Sequence, residues 1–306
     1  MHTLVIITGP TAVGKTELCF DIAGKYNIPI INADSRQMYR GMQIGTAAPT
    51  IEQQKAVLHY FVGNLELDEY YNAAKYECDV INILKRIFSG RKSLSGSSSN
   101  IALMSGGSMM YIDAVCNGID YMPTISNEIR NLLKSKYESE GLENLCVELK
   151  HLDPDYYEIV DKKNYRRVIH ALEICIQTGK PYSSFRTKNK KSRDFDIKKI
   201  VLNRPREELY FRINKRVDDM IESGLLDEAK SLYPYRNLNS LNTVGYKELF
   251  DFFDGKFSLE EAIEKIKSNT RKYARKQLTW FRHYHDAVWF NADDKDGIMK
   301  YISQYE

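Results

Sequence analysis

The chain has 306 residues, of which 43% are hydrophobic and 28% charged, and its net charge is +3. At about 150 residues per domain this length predicts two domains, and the composition excludes disordered, collagen-like and membrane-embedded proteins. A charge this close to neutrality does not by itself indicate a nucleic-acid partner. The five cysteines form no CxxC pair, and the chain has neither a signal-peptide core nor an apolar run of about 18 residues. We therefore expect a cytoplasmic protein with no membrane partner.

The first strong pattern is a β-branched run at residues 3–8, followed by a glycine-rich turn and by apolar residues at helical spacing from 15 to 26. The turn matches the phosphate-binding pattern G-x4-G-K-[ST] between a strand and a helix. Its backbone N–H groups can surround an anion, Lys15 adds a positive charge and Thr16 can reach Mg²⁺. We predict that this loop binds a di- or triphosphate, for example that of a nucleotide such as ATP, with Thr16 as the metal contact. The predicted loop residues are Gly9, Pro10, Thr11, Ala12, Val13, Gly14, Lys15 and Thr16.

Further strands are predicted at 28–31, 101–104, 197–202 and 287–290. A long amphipathic helix is predicted from 70 to 88, before a Ser/Gly-rich loop at 93–100. Between 116 and 196 the pattern is helical and polar, and we interpret this segment as an inserted helical domain. The predicted fold is α/β: a P-loop NTPase-like parallel sheet flanked by helices, formed by residues 1–115 and 197–306 and interrupted by the helical insert.

The near-neutral total hides two basic segments. Residues 186–199 contain seven Lys or Arg side chains, and residues 265–282 contain seven with no acidic residue. A charge run is usually a solvated face, and on its own the second segment favours RNA binding no more than solvation. Its basic residues include Arg271, Arg275 and Lys276.

The third strand lacks the carboxylate that phosphoryl-transfer enzymes place at a strand end to organise Mg²⁺ and water. It ends in Ser105-Gly-Gly-Ser108. The first acidic residue at a strand end is Asp34, and parallel strands collect ligands at their carboxyl ends, so Asp34 and the phosphate loop should face one crevice. The alternative for Asp34, seen in isolation, is a helix N-cap.

The motifs together resemble those of the tRNA dimethylallyltransferase (tRNA isopentenyltransferase) family. The phosphate loop is followed by Ala33-Asp-Ser-Arg-Gln-Met-Tyr-Arg-Gly41 and Ile44-Gly-Thr-Ala47, and later by Asn164-Tyr-Arg-Arg-Val-Ile-His170, Val244-Gly-Tyr-Lys-Glu248 and Thr270-Arg-Lys-Tyr-Ala-Arg-Lys276. The similarity runs through nearly the whole chain. At Ser108 many relatives have Thr, and at His170 many have Arg, so the second difference puts one phosphate contact in doubt.

The resemblance implies transfer of a dimethylallyl group from dimethylallyl diphosphate to N6 of the adenosine 3′ of the anticodon, in tRNAs that read codons beginning with U. The phosphate loop then holds the diphosphate leaving group. Adenine N6 is a poor nucleophile, so a carboxylate that accepts its proton suits the reaction, and we assign that role to Asp34. Positive and hydroxyl groups stabilise the leaving group. By resemblance these are Thr16, Lys15 and Arg216, with Mg²⁺ bridging phosphate oxygens.

A stacked base must be flipped out of the anticodon loop before it can react. The resemblance, together with the basic segment, implies that the insert at 116–196 is a tRNA-binding domain and predicts contacts with the tRNA anticodon loop. Tyr246 can alternatively be a core residue. A monomer is expected. The predicted tRNA contacts are Asp34, Ser35, Arg36, Gln37, Ser108, Arg166, Arg167, His170, Gly245, Tyr246, Lys247, Arg271, Arg275 and Lys276.

Three alternative functions stay open at this point. A prenyltransferase could use free adenine nucleotides, a nucleotide or small-molecule kinase would consume ATP, and a nucleotide-gated RNA-binding protein would form no covalent product. The basic segments and the Asp34-Ser-Arg-Gln37 run argue against the first alternative.

Overall fold

In a computed structural model, the described residues are 2–89, 100–120, 122–187 and 190–306. The chain divides into two compact units, Met1–Cys116 with Ser192–Glu306, and Asn117–Lys191. Most of the predicted loop at 93–100, and Lys188 of the first basic segment, lie outside the described residues.

The first unit contains a six-stranded parallel sheet within the described residues, in the order β3-β2-β4-β1-β5-β6. Helices flank it, as predicted for an α/β fold. The buried strand β1 lies at its centre, where Thr8 pairs with Gly106 on one side and with Val201 on the other. The strands are β1 Thr3–Thr8, β2 Ile30–Asn32, β3 His59–Tyr60, β4 Ile101–Gly106, β5 Asp196–Asn203 and β6 Ala287–Asn291.

The helices begin and end close to the polar and glycine signals in the sequence. For example, the predicted helix at 70–88 starts at Ala73, because the Asn72 side chain accepts the N–H of Lys75 and caps it. The α-helices are α1 Lys15–Tyr26, α2 Ile51–Ala56, α3 Ala73–Phe88, α4 Met109–Asn117, α5 Asn127–Leu152, α6 Pro154–Ile159, α7 Tyr165–Thr178, α8 Arg206–Glu222, α9 Leu225–Leu232, α10 Tyr246–Phe253, α11 Leu259–Phe281 and α12 Lys295–Ile302. No helix in these described ranges is long and apolar enough to cross a membrane.

The second unit is helical. Helices α5, α6 and α7 enclose a small core that includes Leu133, Leu149, Val168 and Leu172. Helix α5 is broken at Gly141, whose φ of 79° lies outside the helical region. The insert was predicted to span 116–196, but it ends at Lys191. The second boundary moves because Arg193 is bound to the core, where it donates to Glu77 at 2.9 Å, and because Asp196 already pairs with β1.

Candidate active site

Three loops meet at the carboxyl ends of β1, β2 and β4. Backbone hydrogen bonds tie two of them together: the N–H of Ala33 donates to Ser105 at 2.7 Å, and the N–H of Ser108 donates to Ala33 at 3.0 Å. A Cβ on Gly106 would lie 2.3 Å from the Ala33 backbone, so only glycine permits this approach. The strand that precedes Asp34 is therefore fixed against β4, next to the phosphate loop.

The predicted phosphate loop turns sharply between β1 and α1. Gly9 has a φ of 148°, and a Cβ there would lie 2.6 Å from the Leu202 carbonyl oxygen. Gly14 has a φ of 112° and precedes the first helical residue with no side-chain cap. The N–H groups of the first turn of α1 are thus left for an anion rather than for a capping side chain.

Lys15 is the first residue of α1, and its ammonium donates to the carbonyls of Gly9 and Pro10, both at 2.9 Å. Desolvation in the cavity and, to a smaller extent, the nearby charge of Arg216 lower the pKa of Lys15 to about 8, while the Asp34 carboxylate opposes both. The Lys15 charge is therefore sensitive to mildly alkaline pH.

We expect the KM for the diphosphate substrate that the motifs predict, dimethylallyl diphosphate, to rise as the pH rises above about 8. The protonated Lys15 attracts the diphosphate, and this attraction is fully present below its pKa and is lost above it. Because kcat/KM reports the free enzyme, it should fall along a basic limb near this pKa. The measurement is kcat/KM between pH 6.5 and 9.5, with Lys15→Arg as control, whose limb in this range should be absent. A wild-type profile that stays flat to pH 9.5 would contradict the assignment.

Asp34 follows β2 and lines the same cavity as the phosphate loop, as its position at a strand end predicted. Its carboxylate accepts the N–H of Arg36 at 2.9 Å, and its own N–H donates to the Asn32 side chain at 3.2 Å. These bonds fix the turn and leave the second carboxylate oxygen outside them. The cavity has a volume of about 480 Å³, and Gln37, Thr16 and Arg216 also line it.

Helix α8 supplies two arginines, Arg212 and Arg216, that are four residues apart and line the cavity from one helix face. Arg216 lies 3.5 Å from the Thr46 carbonyl, and desolvation lowers its pKa while the Asp34 carboxylate opposes this shift. Arg212 donates to the Ala12 carbonyl at 2.9 Å and so holds the phosphate loop. The sequence predicted only Arg216 as a site residue, although the spacing of four residues on a helix also indicates Arg212.

Gln277 on α11 was not predicted as a site residue. It is 2% exposed; its side-chain oxygen accepts the N–H of Thr11 and its nitrogen donates to the Gly107 carbonyl, both at 2.9 Å. The Thr11 N–H, one of the predicted anion donors, is thus already bonded within the protein, and this part of the prediction needs correction. No local sequence pattern indicates this bridge, because the Thr11 bond spans 266 residues.

Replacing Gln277 by Leu should lower the free energy of unfolding by about 1–3 kcal/mol, since it leaves the Thr11 N–H and the Gly107 carbonyl without their partner. Denaturant unfolding measures the change. Lys276→Ala, an exposed neighbour on the same helix, is the control and should shift stability by less than about 0.5 kcal/mol. Equal stabilities of the Leu variant and the wild type would show that the bridge is not used in solution.

The residues after Asp34 are held in different ways. The N–H of Ser35 donates to the Ser108 hydroxyl at 2.8 Å. The hydroxyl of Ser108 therefore holds the backbone of Ser35 in place. Arg36 donates to the carbonyls of Asn239 and Ser240 at 2.8 and 2.9 Å, which commits its guanidinium partly to the protein. Gln37 remains in the cavity wall.

The predicted contacts at 245–247 separate into buried and exposed groups. Tyr246 is fully buried and its hydroxyl donates to Glu228 at 2.7 Å, so its side chain is a core group and the predicted direct tRNA contact through it is corrected. Gly245 is also buried, with a φ of 100°. Lys247 is exposed and remains a candidate.

The basic residues of α11 are not equivalent. Arg271 is half-buried and donates to Asn214 on α8 at 2.5 Å. Arg275 is exposed and donates to the Tyr210 hydroxyl at 2.9 Å, whereas Lys276 is exposed. Arg275 and Lys276 are therefore better placed for phosphate contacts than Arg271.

The remaining predicted tRNA contacts lie in the second unit. Arg166 and Arg167 are exposed in the first turn of α7, and His170 is exposed one turn later with Glu173 at 3.4 Å. They lie on the surface of the second unit, and their part in binding stays a prediction.

The donor set of the cavity fits Mg²⁺ held mainly by substrate. Among the described residues there is no cluster of three or more His, Cys, Asp or Glu side chains that could enclose a metal. The cavity wall does offer the Thr16 hydroxyl and the Asp34 carboxylate. Mg²⁺ commonly keeps its waters and is bound by one or two protein groups together with phosphate oxygens. Thr16 thus stays a predicted metal contact.

Together the sheet and the cavity define an α/β protein of P-loop-like fold. The profile of the IPP transferase family matches residues 37–284. A relative from Phocaeicola vulgatus, tRNA dimethylallyltransferase 1, is 56% identical over 300 residues, covering 98% of this chain and 97% of that protein. A full-length tRNA isopentenylpyrophosphate transferase from Bacillus halodurans superposes with a TM-score of 0.71 at 34% identity, covering 100% of this chain and 97% of that one.

A solved eukaryotic dimethylallyltransferase described as acting on tRNA superposes with a TM-score of 0.80 at 27% identity, covering 99% of this chain and 77% of that one. The chain belongs to the IPP transferase family. It is a transferase, as the sequence motifs predicted, and its predicted fold class is confirmed.

Proposed function

We propose that this transferase moves a dimethylallyl group from dimethylallyl diphosphate to N6 of the adenosine 3′ of the anticodon, in tRNAs that read codons beginning with U. The observation that carries the proposal is the single cavity that brings together the phosphate loop, Asp34, Gln37 and Arg216. Such a cavity suits an anionic leaving group at one end and a nucleophile that loses a proton at the other. Family membership and the named relatives support this choice of substrates.

The reaction balances with the groups in the cavity. The bond between the allylic carbon and the bridging oxygen breaks, a bond between that carbon and N6 forms, and diphosphate leaves with the electron pair. Asp34 accepts the proton from N6, a role that requires a position within hydrogen-bond reach. Lys15 and Arg216 stabilise the charge that develops on the diphosphate. When bound, Mg²⁺, held by Thr16 and phosphate oxygens, would add positive charge at the leaving group.

The base must leave the anticodon stack to enter this cavity, because N6 cannot be reached while the base is stacked. Gln37 lines the cavity and has an amide that suits adenine edges. Exposed basic residues of α11 and of the insert would contact phosphates of the anticodon stem and loop. We also propose that the enzyme acts as a monomer, since an anticodon loop is a single asymmetric target. We propose a cytoplasmic location as well, since the five cysteines of the enzyme are free thiols.

The decisive experiment incubates the purified protein with dimethylallyl diphosphate, Mg²⁺ and one of two anticodon stem-loops that differ only in the base 3′ of the anticodon, adenosine or guanosine. Digestion and mass spectrometry then detect N6-prenylated adenosine. We expect product with the adenosine stem-loop alone. Parallel reactions with AMP, ADP and ATP test the free-nucleotide alternative, and product only there would overturn the tRNA assignment. Consumption of ATP without prenylation would instead indicate a kinase.

The salt dependence of tRNA binding tests the α11 surface. Replacing both Arg275 and Lys276 by Ala should weaken binding and reduce the slope of log K against log salt by about one unit for each lost phosphate contact. Filter binding over a range of roughly 50 to 300 mM salt, in which phosphate contacts dominate the affinity, measures this slope. Lys300→Ala removes an exposed lysine on α12 and serves as the control. An unchanged slope in the double variant would indicate that these α11 side chains face solvent and do not contact tRNA phosphates.

A further inference from the structure

Glu228 on α9 lies outside the cavity wall, yet its carboxylate accepts four hydrogen bonds. One oxygen accepts the N–H groups of Gln43 and Ile44 at 2.9 and 2.7 Å. The other accepts the N–H of Gly45 at 2.9 Å and the hydroxyl of Tyr246 at 2.7 Å. Four donors fill about the whole accepting capacity of one carboxylate. Three consecutive backbone N–H groups thus converge on a single side chain that is 183 residues or more away.

The loop 43–47 that Glu228 holds has little freedom to adopt another shape. A Cβ on Gly45 would lie 2.6 Å from the Tyr246 ring, so the loop backbone lies directly against that buried ring. Ala47 has a φ of 47°, a conformation that is unfavourable for a residue with a side chain and persists only when its surroundings impose it. Its N–H donates to the Ile44 carbonyl at 2.9 Å. The held loop is therefore one defined turn.

The carbonyls of this turn face two side chains of the cavity wall. The amide nitrogen of Gln37 donates to the carbonyls of Thr46 and Ala47 at 3.0 and 3.1 Å. The guanidinium of Arg216 lies 3.5 Å from the same Thr46 carbonyl. Because two carbonyls take the amide nitrogen of Gln37, its oxygen is the atom that an amino group of a bound base would meet. One turn thus orients groups on both the base side and the diphosphate side.

We propose that Glu228 is a positioning residue for the transfer reaction: by fixing the turn at 43–47 it sets the orientation of Gln37 and Arg216. The inference rests on the proposed function, because it assigns those two side chains to base and diphosphate. Glu228 itself does not line the cavity. Its neighbour Asp227 carries the same charge but is exposed. The described N–H groups of residues 43–45 donate to Glu228 and not to Asp227.

The first measurement compares E228Q with D227N as a matched control in the prenylation assay. Glutamine preserves the shape of Glu228, but either orientation of its amide places an NH₂ group against two donors. We expect kcat to fall about 10- to 100-fold, the size of effect that a small misplacement of reacting groups produces. The Kd for the tRNA stem-loop should stay close to the wild-type value. D227N should retain wild-type kcat.

A double-mutant cycle separates positioning from general destabilisation. In a Gln37→Ala background part of what Glu228 orients is already gone, so adding E228Q should cost several-fold less than it costs the wild type. A structural role would instead lower the active fraction equally in both backgrounds, and the losses would multiply. Thermal unfolding of all four proteins is followed alongside, to show that the same folded fraction is compared.

Each outcome bears on one of the two claims. Losses that multiply within about threefold, or a wild-type kcat for E228Q, overturn the role of Glu228 while the wild type still makes product. A wild-type protein that forms no prenylated tRNA overturns the proposed function, and the inference falls with it. If E228Q does not fold, Tyr246→Phe replaces it, because this change removes one of the four donors and keeps the ring beside Gly45. It should lower kcat in the wild type more than in the Gln37→Ala background, and equal losses contradict the proposal.

Discussion

Replacing Asp34 by Ala is expected to lower the rate of prenyl transfer by about 10²- to 10⁴-fold, the range that a general base supplies, while most of the tRNA affinity is retained. The carboxylate lines the cavity, and only one of its oxygens is needed to hold the N–H of Arg36. Single-turnover kinetics with saturating substrates measure the chemical step, and filter binding measures the affinity.

Asp34→Asn is the matched variant for this test. Its side-chain oxygen can still accept the N–H of Arg36 and preserve the turn, but an amide does not take a proton from N6. We expect Asn and Ala to be equally slow if proton transfer is the role of Asp34. If Asn restores a near wild-type rate, the residue shapes the turn and another group accepts the proton.

The second large effect is expected for Arg216→Ala, which should lower kcat by about 10²- to 10³-fold because a preorganised charge at the leaving group is lost. The same change should raise the pKa of Lys15, since the charge of Arg216 is one of the causes that lower it. The basic limb of kcat/KM should therefore move to higher pH in this variant. Measuring rate and pH profile together tests both statements.

Arg206→Ala provides the control for Arg216. Arg206 is an exposed arginine in the first turn of the same helix and is not part of the cavity wall. Its removal should change neither kcat nor the pH profile. A lower kcat for Arg216→Ala with an unmoved basic limb would keep Arg216 at the leaving group but would remove its coupling to Lys15.

Local patterns in the sequence predicted the parts of the site that are close in the chain. The strand, glycine turn and helix around Lys15 have a fixed spacing, and the structure shows the loop between β1 and α1. Asp34 was predicted from its place at a strand end. Arg216 was inferred from family resemblance, and the structure brings it into the same cavity.

The parts that the sequence did not predict depend on contacts between distant segments. Gln277 and Glu228 act on backbone groups 170 residues or more away, and no period or spacing reports such bonds. Tyr246 belongs to a family segment that was predicted to contact tRNA, but its environment makes it a core group. Strand β3 has only two residues, too few for an alternating pattern.

The place of the insert in the chain also has a consequence for folding. The central strand β1 needs β4 on one side and β5 on the other, and β5 begins only at Asp196, after the whole second unit. During synthesis one edge of β1 therefore waits for the insert to be completed. Pairings of such long sequence separation form slowly, whereas a helical unit with local contacts forms quickly. The insert is expected to fold first. Until β5 pairs with β1, the unpaired edge of this apolar strand is exposed and prone to aggregation.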